Sequence, residues 1–593
     1  MYLLMLETNG NQRFVFSSPR QRENIGGSYL LTMLAPWTRE IAGKEGISFE
    51  PVSESSGKII LTVQDEAEAQ TLIGAVTRRV LALAPGMDVT GVFMKLSPDD
   101  TAGEGWVHVT KDDLREIHAL SSRYALSRPP AEARFAQRPF LQRAADSVLP
   151  AAPHLTLLAS KPPRENTYSL PSQVKRACAA QARKRLVEEA RQDEALRELG
   201  EDAEVLLAES LKVLEDALDA DPEEPANSAQ HDAAPSADTP ADPELVRVTA
   251  RKLSRIAVVH IDGNGVGAIM RDLERAMKAI PSEDLEKAIG CTSDHLEALR
   301  LFLLKINERF DSAVKKAFFT AWAAVARRWQ ADHPGRVGGI IPVVPILLGG
   351  DDLTVLTEGR CALPFMEAYL RAYEEATQAD SLLSRLGPRS QDGPGPMTAA
   401  AGAAIVPRPF PFHLAYDLAE RLVSDAKRIG KMEGNECSTL TYHLLLDSTI
   451  IDAGELLAGY SDFTARPYRL DPVSVPSSNA LRGAAWKDML QQVAHFQGTF
   501  TEDVPAFPKS RAARIRSLLA KCARLGEEDE QYKKLTTAIA VEWEDARRVL
   551  GRDLIKAIGD HQYLFDLLEL ADLLPPSYLA EKTAPAGAEE ESK

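Results

Sequence analysis

Two short segments hold carboxylates where they can do chemistry. In VVHIDGNGVG, Asp262 ends an apolar, β-branched run and is followed by a glycine-rich turn into helical sequence. In PILLGGDDLTVL, Asp351 and Asp352 follow a glycine pair between two strand-like runs, the pattern of a hairpin tip. Three carboxylates brought together repel one another unless a cation lies between them. Oxygen ligands in that number suit Mg²⁺ or Mn²⁺, and two such ions about 3.5–4 Å apart serve in-line phosphoryl displacement. Gly349 and Gly350 can take positive φ and bring backbone N–H groups close to a triphosphate. The turn Gly263-Asn264-Gly265, with Gly267, can do the same at a helix N-terminus, and the Gly263 carbonyl is a candidate further metal ligand. Lys427 and Lys431, with Arg428, cluster near the end of a helix-like stretch and can neutralise a triphosphate tail.

Each segment alone has a plainer reading. GGDD is a common hairpin turn, and DGNGVG begins like a dinucleotide-binding fingerprint, although the third glycine is displaced. A basic cluster at a helix end most often complements the helix dipole. The two aspartate segments in this order are far more specific together. His260 lies in an apolar strand, as a core imidazole does, and His413 begins a helix; neither has a second ligand at metal spacing. The five cysteines are scattered without a C-x-x-C pair, so neither a zinc ribbon nor a disulfide framework is expected.

Such residues need elements that bring them together. At 593 residues the chain is long enough for three or four units of about 150 residues. Residues 1–110 read as a small α+β unit of strands and helices. Residues 111–214 are helical and irregular by turns, ending in a stretch dense in helix formers that reads as a solvated arm. Residues 215–245 form an acidic, Ala- and Pro-rich linker expected to be disordered, as is the tail 581–593. Residues 246–450 alternate strands and helices around one hairpin, the β-α-β-β-α-β order of a ferredoxin-like palm. Pro342 and Pro345 predict that the strand before GGDD starts irregularly or lies at an edge. Residues 451–580 carry periodic helices that suit a small bundle. The fold class is therefore α+β.

Composition narrows the function. The chain is 44% apolar and 26% charged, with no apolar run of about 18 residues or more, so a membrane span is not expected. The N-terminus MYLLMLETNG lacks a basic leader region and reads as a first strand. With no disulfide pattern, a cytoplasmic location follows. A net charge of −17 argues against a nucleic-acid-coated protein and gives a template-dependent polymerase little support.

At these residues the sequence resembles the large palm-containing subunit of type III CRISPR effector complexes, and more distantly the GGDEF nucleotide cyclases. IDGNGVG resembles the first metal-aspartate segment of that subunit's active palm, and RQRENIGGSYLLTMLA a helix of its first, inactive palm. AAGAAIVPRPFPFHLAYDLAERLVSDAKRIGK resembles its strand and helix after the catalytic hairpin. The resemblance implies two ferredoxin-like palms, the second catalytic, joined by a helical linker and followed by a helical domain. It implies synthesis of cyclic oligoadenylate from ATP with two Mg²⁺ or Mn²⁺ ions, as a second messenger in antiviral defence. Asp262, Asp351 and Asp352 match the metal-binding carboxylates, and Gly349 and Gly350 the glycine pair. Partner subunits and guide and target RNA are implied as well. The family's His-Asp nuclease is not expected, since the one His-Asp pair, His231-Asp232, falls in the acidic linker. Against GGDEF, Asp352 replaces the glutamate and Leu353 the phenylalanine. The alternative function is a non-catalytic scaffold subunit with a vestigial palm.

Overall fold

A computed structural model of the chain describes residues 1–18, 20–97, 108–135, 138–155, 167–200, 202–219, 243–387, 395–432, 436–445, 464–470, 483–498, 506–522, 529–550 and 564–583. The first unit is built on β1 (Tyr2–Asn9), β2 (Phe49–Ser55), β3 (Lys58–Val63) and β4 (Asp88–Lys95), in the order β2-β3-β1-β4. All its pairings are antiparallel. Helices Gln21–Thr32 and Leu34–Glu45 link β1 to β2, and helix Glu66–Leu83 links β3 to β4. That last helix starts where the Asp65 side chain accepts from the Glu68 N–H, satisfying one of the open donors of the first turn.

The second unit repeats the plan. β5 (Arg255–Gly263), β6 (Val343–Gly349), β7 (Asp352–Glu358) and β8 (Ala399–Pro407) run β8-β5-β7-β6, the same order as β4-β1-β3-β2 in the first. The chain thus folds as α+β with two ferredoxin-like palms. Strand β5 is central, and its residues are buried because sheet neighbours flank it and helices cover both faces, Phe412–Gly430 on the His260 side and Ala362–Ala379 on the Gly263 side. β6 lies at the edge, and its register slips between Pro345 and Leu347, where a proline cannot donate to the ladder. The sheet then gains β9 (Thr439–Leu444), parallel to β8, and the short β10 (Tyr468–Arg469). The palm sheet therefore reaches past residue 450, through a segment, PYRL, too short to show a period of its own in the sequence.

Three helices pack on this sheet: Ala298–Asp332, Ala362–Ala379 and Phe412–Gly430. The last approaches β8 so closely that a methyl on Gly402 would stand 2.8 Å from the Ala419 carbonyl oxygen and the Leu422 Cβ. Only glycine fits there.

The expected solvated arm is instead packed. Helix Leu170–Ala190 lies against helix Gln21–Thr32, where a Cβ on Gly26 would be 1.8 Å from the Lys175 carbonyl oxygen. The small Gly26-Gly27 pair lets the backbones meet, and charge periodicity alone gave no sign of this. Lys175 is fully buried, its ammonium donating to the Phe14 carbonyl and to Ser17 Oγ at 2.8 Å. Residues 215–219 and 243–245 of the acidic linker are helical, and Glu215 is buried against Arg22 and Arg183. Residues 220–242, His231-Asp232 among them, lie outside the described residues, as do 584–593, whereas 581–583 close a helix.

The C-terminal region is helical among the described residues: Trp486–Gln497, Lys509–Cys522, Glu530–Leu550, Leu564–Leu573 and Pro576–Thr583. It is fastened to the palm by buried polar contacts. Arg466 reaches Asp566 at 3.2 Å, Glu569 at 3.4 Å and the Tyr442 carbonyl at 2.7 Å, while Tyr578 donates to Glu367. Among the described residues no helix is long and apolar enough to cross a membrane.

Candidate metal and nucleotide site

The ladder itself brings the acids together. Asp262 at the end of β5 pairs directly with Asp352 at the start of β7, and Gly349 pairs with Asp352 across the hairpin. Gly350 and Asp351 are left as the two turn residues. Gly350 has φ +70°, and Asp351, like every described non-glycine, has negative φ: the sign pattern of a type II′ hairpin turn with glycine first. The Gly263 N–H donates to the Asp351 carbonyl at 3.2 Å, tying the strand end to the turn. Carboxylate oxygens of Asp262, Asp351 and Asp352 all lie within 4.8 Å of one another.

Like charges opposed across a sheet are costly, and the electrostatics show it. Burial, then the Asp262 charge, pushes the Asp351 carboxyl above its usual range. Asp352 is pushed up to about 8, by burial first and then by Asp351 and Asp262; the residue is solvent-exposed, although its carboxyl faces the other two. Lys427, near the end of helix Phe412–Gly430, forms an ion pair with Asp262. Lys431 stands nearby, its ammonium held below the ordinary value by burial and by the charge of Lys427. Below the site Tyr373 is buried, and a methyl on Gly263 would come 3.3 Å from its hydroxyl, which has no hydrogen-bond partner among the described residues. Three convergent carboxylates, mutually repelled, with an orphaned buried hydroxyl beneath them fit a divalent cation.

The glycine turn opens on a cleft of about 1320 Å³ between the two palms. Gly349, Gly350, Asp351, Gly267 and Arg271 line one wall; Ser28, Tyr29, Thr32 and Arg39 of the first palm line the other. Asp262, Asp352, Lys427 and Lys431 are not among the lining residues.

The residues singled out in the sequence do not all face the same way. Asp262, Asp351, Asp352 and Lys427 meet. Gly265 has φ +85°, as the N-cap of the short helix after β5. Asn264 is turned inward: its N–H donates to the Thr398 carbonyl at 2.7 Å and its amide to Thr398 Oγ1 at 3.0 Å. It ties the glycine loop to the segment before β8 and does not point into the cleft. Arg428 is directed at Asp425 on its own helix. His260 is buried with Nδ1 3.0 Å from Thr354 Oγ1, a satisfied core imidazole whose pKa burial lowers. His413 is exposed in the first turn of its helix. Sequence reasoning missed Tyr373, Arg271 and the first-palm wall. Tyr369 and Tyr373 sit one turn apart in FMEAYLRAYEEA, so a pair of tyrosines on the strand-facing side was the available signal.

No family model matches the chain, and no curated protein matches it. Similarity to solved structures extends along most of the chain. They include a Csm1–Csm4 cassette in complex with cA4 (12% identity over 98% of this chain and 70% of that chain, TM-score 0.45). Type III-B Cmr-beta bound to cognate target RNA is similar too (12% identity, 93% and 78% covered, TM-score 0.42). So is Csm1 in T. onnurineus (12% identity, 98% and 69% covered, TM-score 0.45).

Proposed function

We infer that this chain is a metal-dependent nucleotidyltransferase that turns ATP into a cyclic oligonucleotide messenger, working beside partner subunits and RNA. The observation that carries this reading is the meeting of Asp262, Asp351 and Asp352 within 4.8 Å at a glycine turn that opens on the inter-palm cleft. Adenine as the base, antiviral signalling, and the RNA and protein partners follow from the sequence resemblance.

Asp262, Asp351 and Asp352 hold Mg²⁺ or Mn²⁺, which when bound supplies positive charge to the transferring phosphoryl group and the leaving pyrophosphate. Gly349 and Gly350 let backbone come close to the triphosphate without side-chain interference. Arg271 reaches its tail from the cleft wall, and Lys427 and Lys431 from the Asp262 side of the turn, outside the cleft lining. A single small-molecule site occupies about 300–1,000 Å³, so a cleft of about 1320 Å³ has room for donor and acceptor nucleotides together. The first palm then acts as the opposite wall, excluding water and orienting the second nucleotide.

The test is pyrophosphate release from ATP by the purified chain with Mg²⁺ or Mn²⁺, alone and with partner subunits and RNA. Asp351→Ala with Asp352→Ala abolishes release. A wild type that stays silent under all these conditions refutes the reading and leaves the scaffold alternative.

A further inference from the structure

A string of charged side chains runs from the catalytic turn to the first palm. At one end, Gly349 has φ +147°, and a methyl there would stand 3.2 Å from Asp311 Oδ1 on helix Ala298–Asp332. One turn along that helix, Lys315 holds Asp311 at 2.9 Å and, on its other side, Glu189 of helix Leu170–Ala190 at 3.1 Å. Glu189 accepts from Arg185 Nε at 3.0 Å, and Arg185 donates onward to Thr32 Oγ1 at 2.9 Å. Thr32 donates in turn to the Tyr29 carbonyl at 2.8 Å. All of these residues line the cleft.

Resting on the nucleotidyltransferase reading, we propose that Lys315 is a positioning residue that ties the first palm to the Gly349-Gly350 turn. Its place explains why. Burial alone would lower its ammonium pKa, yet the carboxylates of Asp311 and Glu189 hold it above the ordinary value. The tie therefore stays charged throughout the physiological range. Without that ammonium, Asp311 and Glu189 lose the partner they share, and the helix face beside Gly349 is no longer tied to helix Leu170–Ala190. The turn then loses its backing, and Glu189 loses its hold on the palm that carries the turn. An ion pair this open to water adds little to global stability, so its effect belongs to local geometry.

The measurement is amide hydrogen exchange at residues 349–352 of the full chain, without nucleotide or metal. Lys315→Met and Glu189→Gln each speed exchange there by roughly 5-fold, whereas Lys315→Arg stays near wild type. Lys184→Met, which removes an exposed ammonium 3.9 Å from Glu188 on the same helix, leaves the turn unchanged. In pyrophosphate release, Lys315→Met lowers kcat about 10-fold with the KM for ATP within about twofold, because orientation and not binding is lost. Wild-type exchange at the turn in both Lys315→Met and Glu189→Gln overturns the proposal. A wild type that releases no pyrophosphate overturns the nucleotidyltransferase reading instead, and the exchange result still decides whether the tie exists.

Discussion

Asp352→Asn removes one of three opposed charges while keeping nearly the same shape, so it separates the cost of the acid cluster from its use. In metal-free protein the Asp352 carboxyl is raised from 3.8 to about 8 by burial and by its neighbours. A carboxyl raised in the folded state stabilises the fold fully below the unfolded value, and that stability is lost as pH rises through the folded value. The window is therefore about pH 4 to 8. In a dry site a gap of that size would approach ~6 kcal/mol at ~1.4 kcal/mol per pH unit. Asp352 is solvent-exposed, and water screens most of this, leaving about 1–2 kcal/mol. In EDTA at pH 9, Asp352→Asn should raise the melting temperature by roughly 2–8 °C for a palm-sized cooperative unit, with little change at pH 4. Adding Mg²⁺ at pH 9 should stabilise the wild type and do far less for the variant. Scanning calorimetry at the two pH values, with and without Mg²⁺, reads both effects. A variant less stable than wild type in EDTA at pH 9, or stabilised equally by Mg²⁺, would refute the account of the cluster as a cation site.

Other substitutions probe the surroundings. Lys427→Ala should cost ~10–100-fold in kcat/KM for ATP, the range for losing one charge-assisted phosphate contact. It should also tighten Mn²⁺ binding, measured by calorimetric titration, because Asp262 no longer has a competing ammonium. Gly26→Ala drives a methyl into the Lys175 carbonyl and should destabilise the first palm by about 2–3 kcal/mol, read by denaturant unfolding. Asp566→Ala leaves the buried Arg466 guanidinium undercompensated and should cost ~3–5 kcal/mol, with limited proteolysis of the C-terminal helices as its signature.

The second palm was legible because its signals are local. A β-branched run ending in Asp262, a glycine pair before two aspartates, and prolines at an edge strand each report on a few neighbouring residues. The repeated strand order needed only the alternation of periods. What stayed hidden depends on distant partners. The packing of helix Leu170–Ala190 rests on two glycines some 150 residues upstream, and nothing in its own charge pattern announces them. Lys427 was visible as a cation near a helix end, but its pairing with Asp262 exists only once β5 and that helix lie side by side. Asn264 looked like part of a phosphate loop because loop composition does not say which way an amide turns. Tyr373 was hidden for the converse reason: a tyrosine on an amphipathic helix reads as core.

Helix Phe412–Gly430 is a rigid strut with a different attachment at each end. Near its start, Tyr416 and Glu420 accept from the Gln12 amide of the first palm at 3.2 and 3.1 Å, and the Phe16 ring packs tilted against Tyr416 with ring centres 4.4 Å apart. About 16 Å further along, at 1.5 Å per residue, Lys427 grips Asp262. Between these attachments the helix lies directly on Gly402, with no side chain between the two backbones. One helix therefore carries both the hold on the first palm and the ammonium that faces the acidic centre, so neither attachment can be repositioned without bearing on the other.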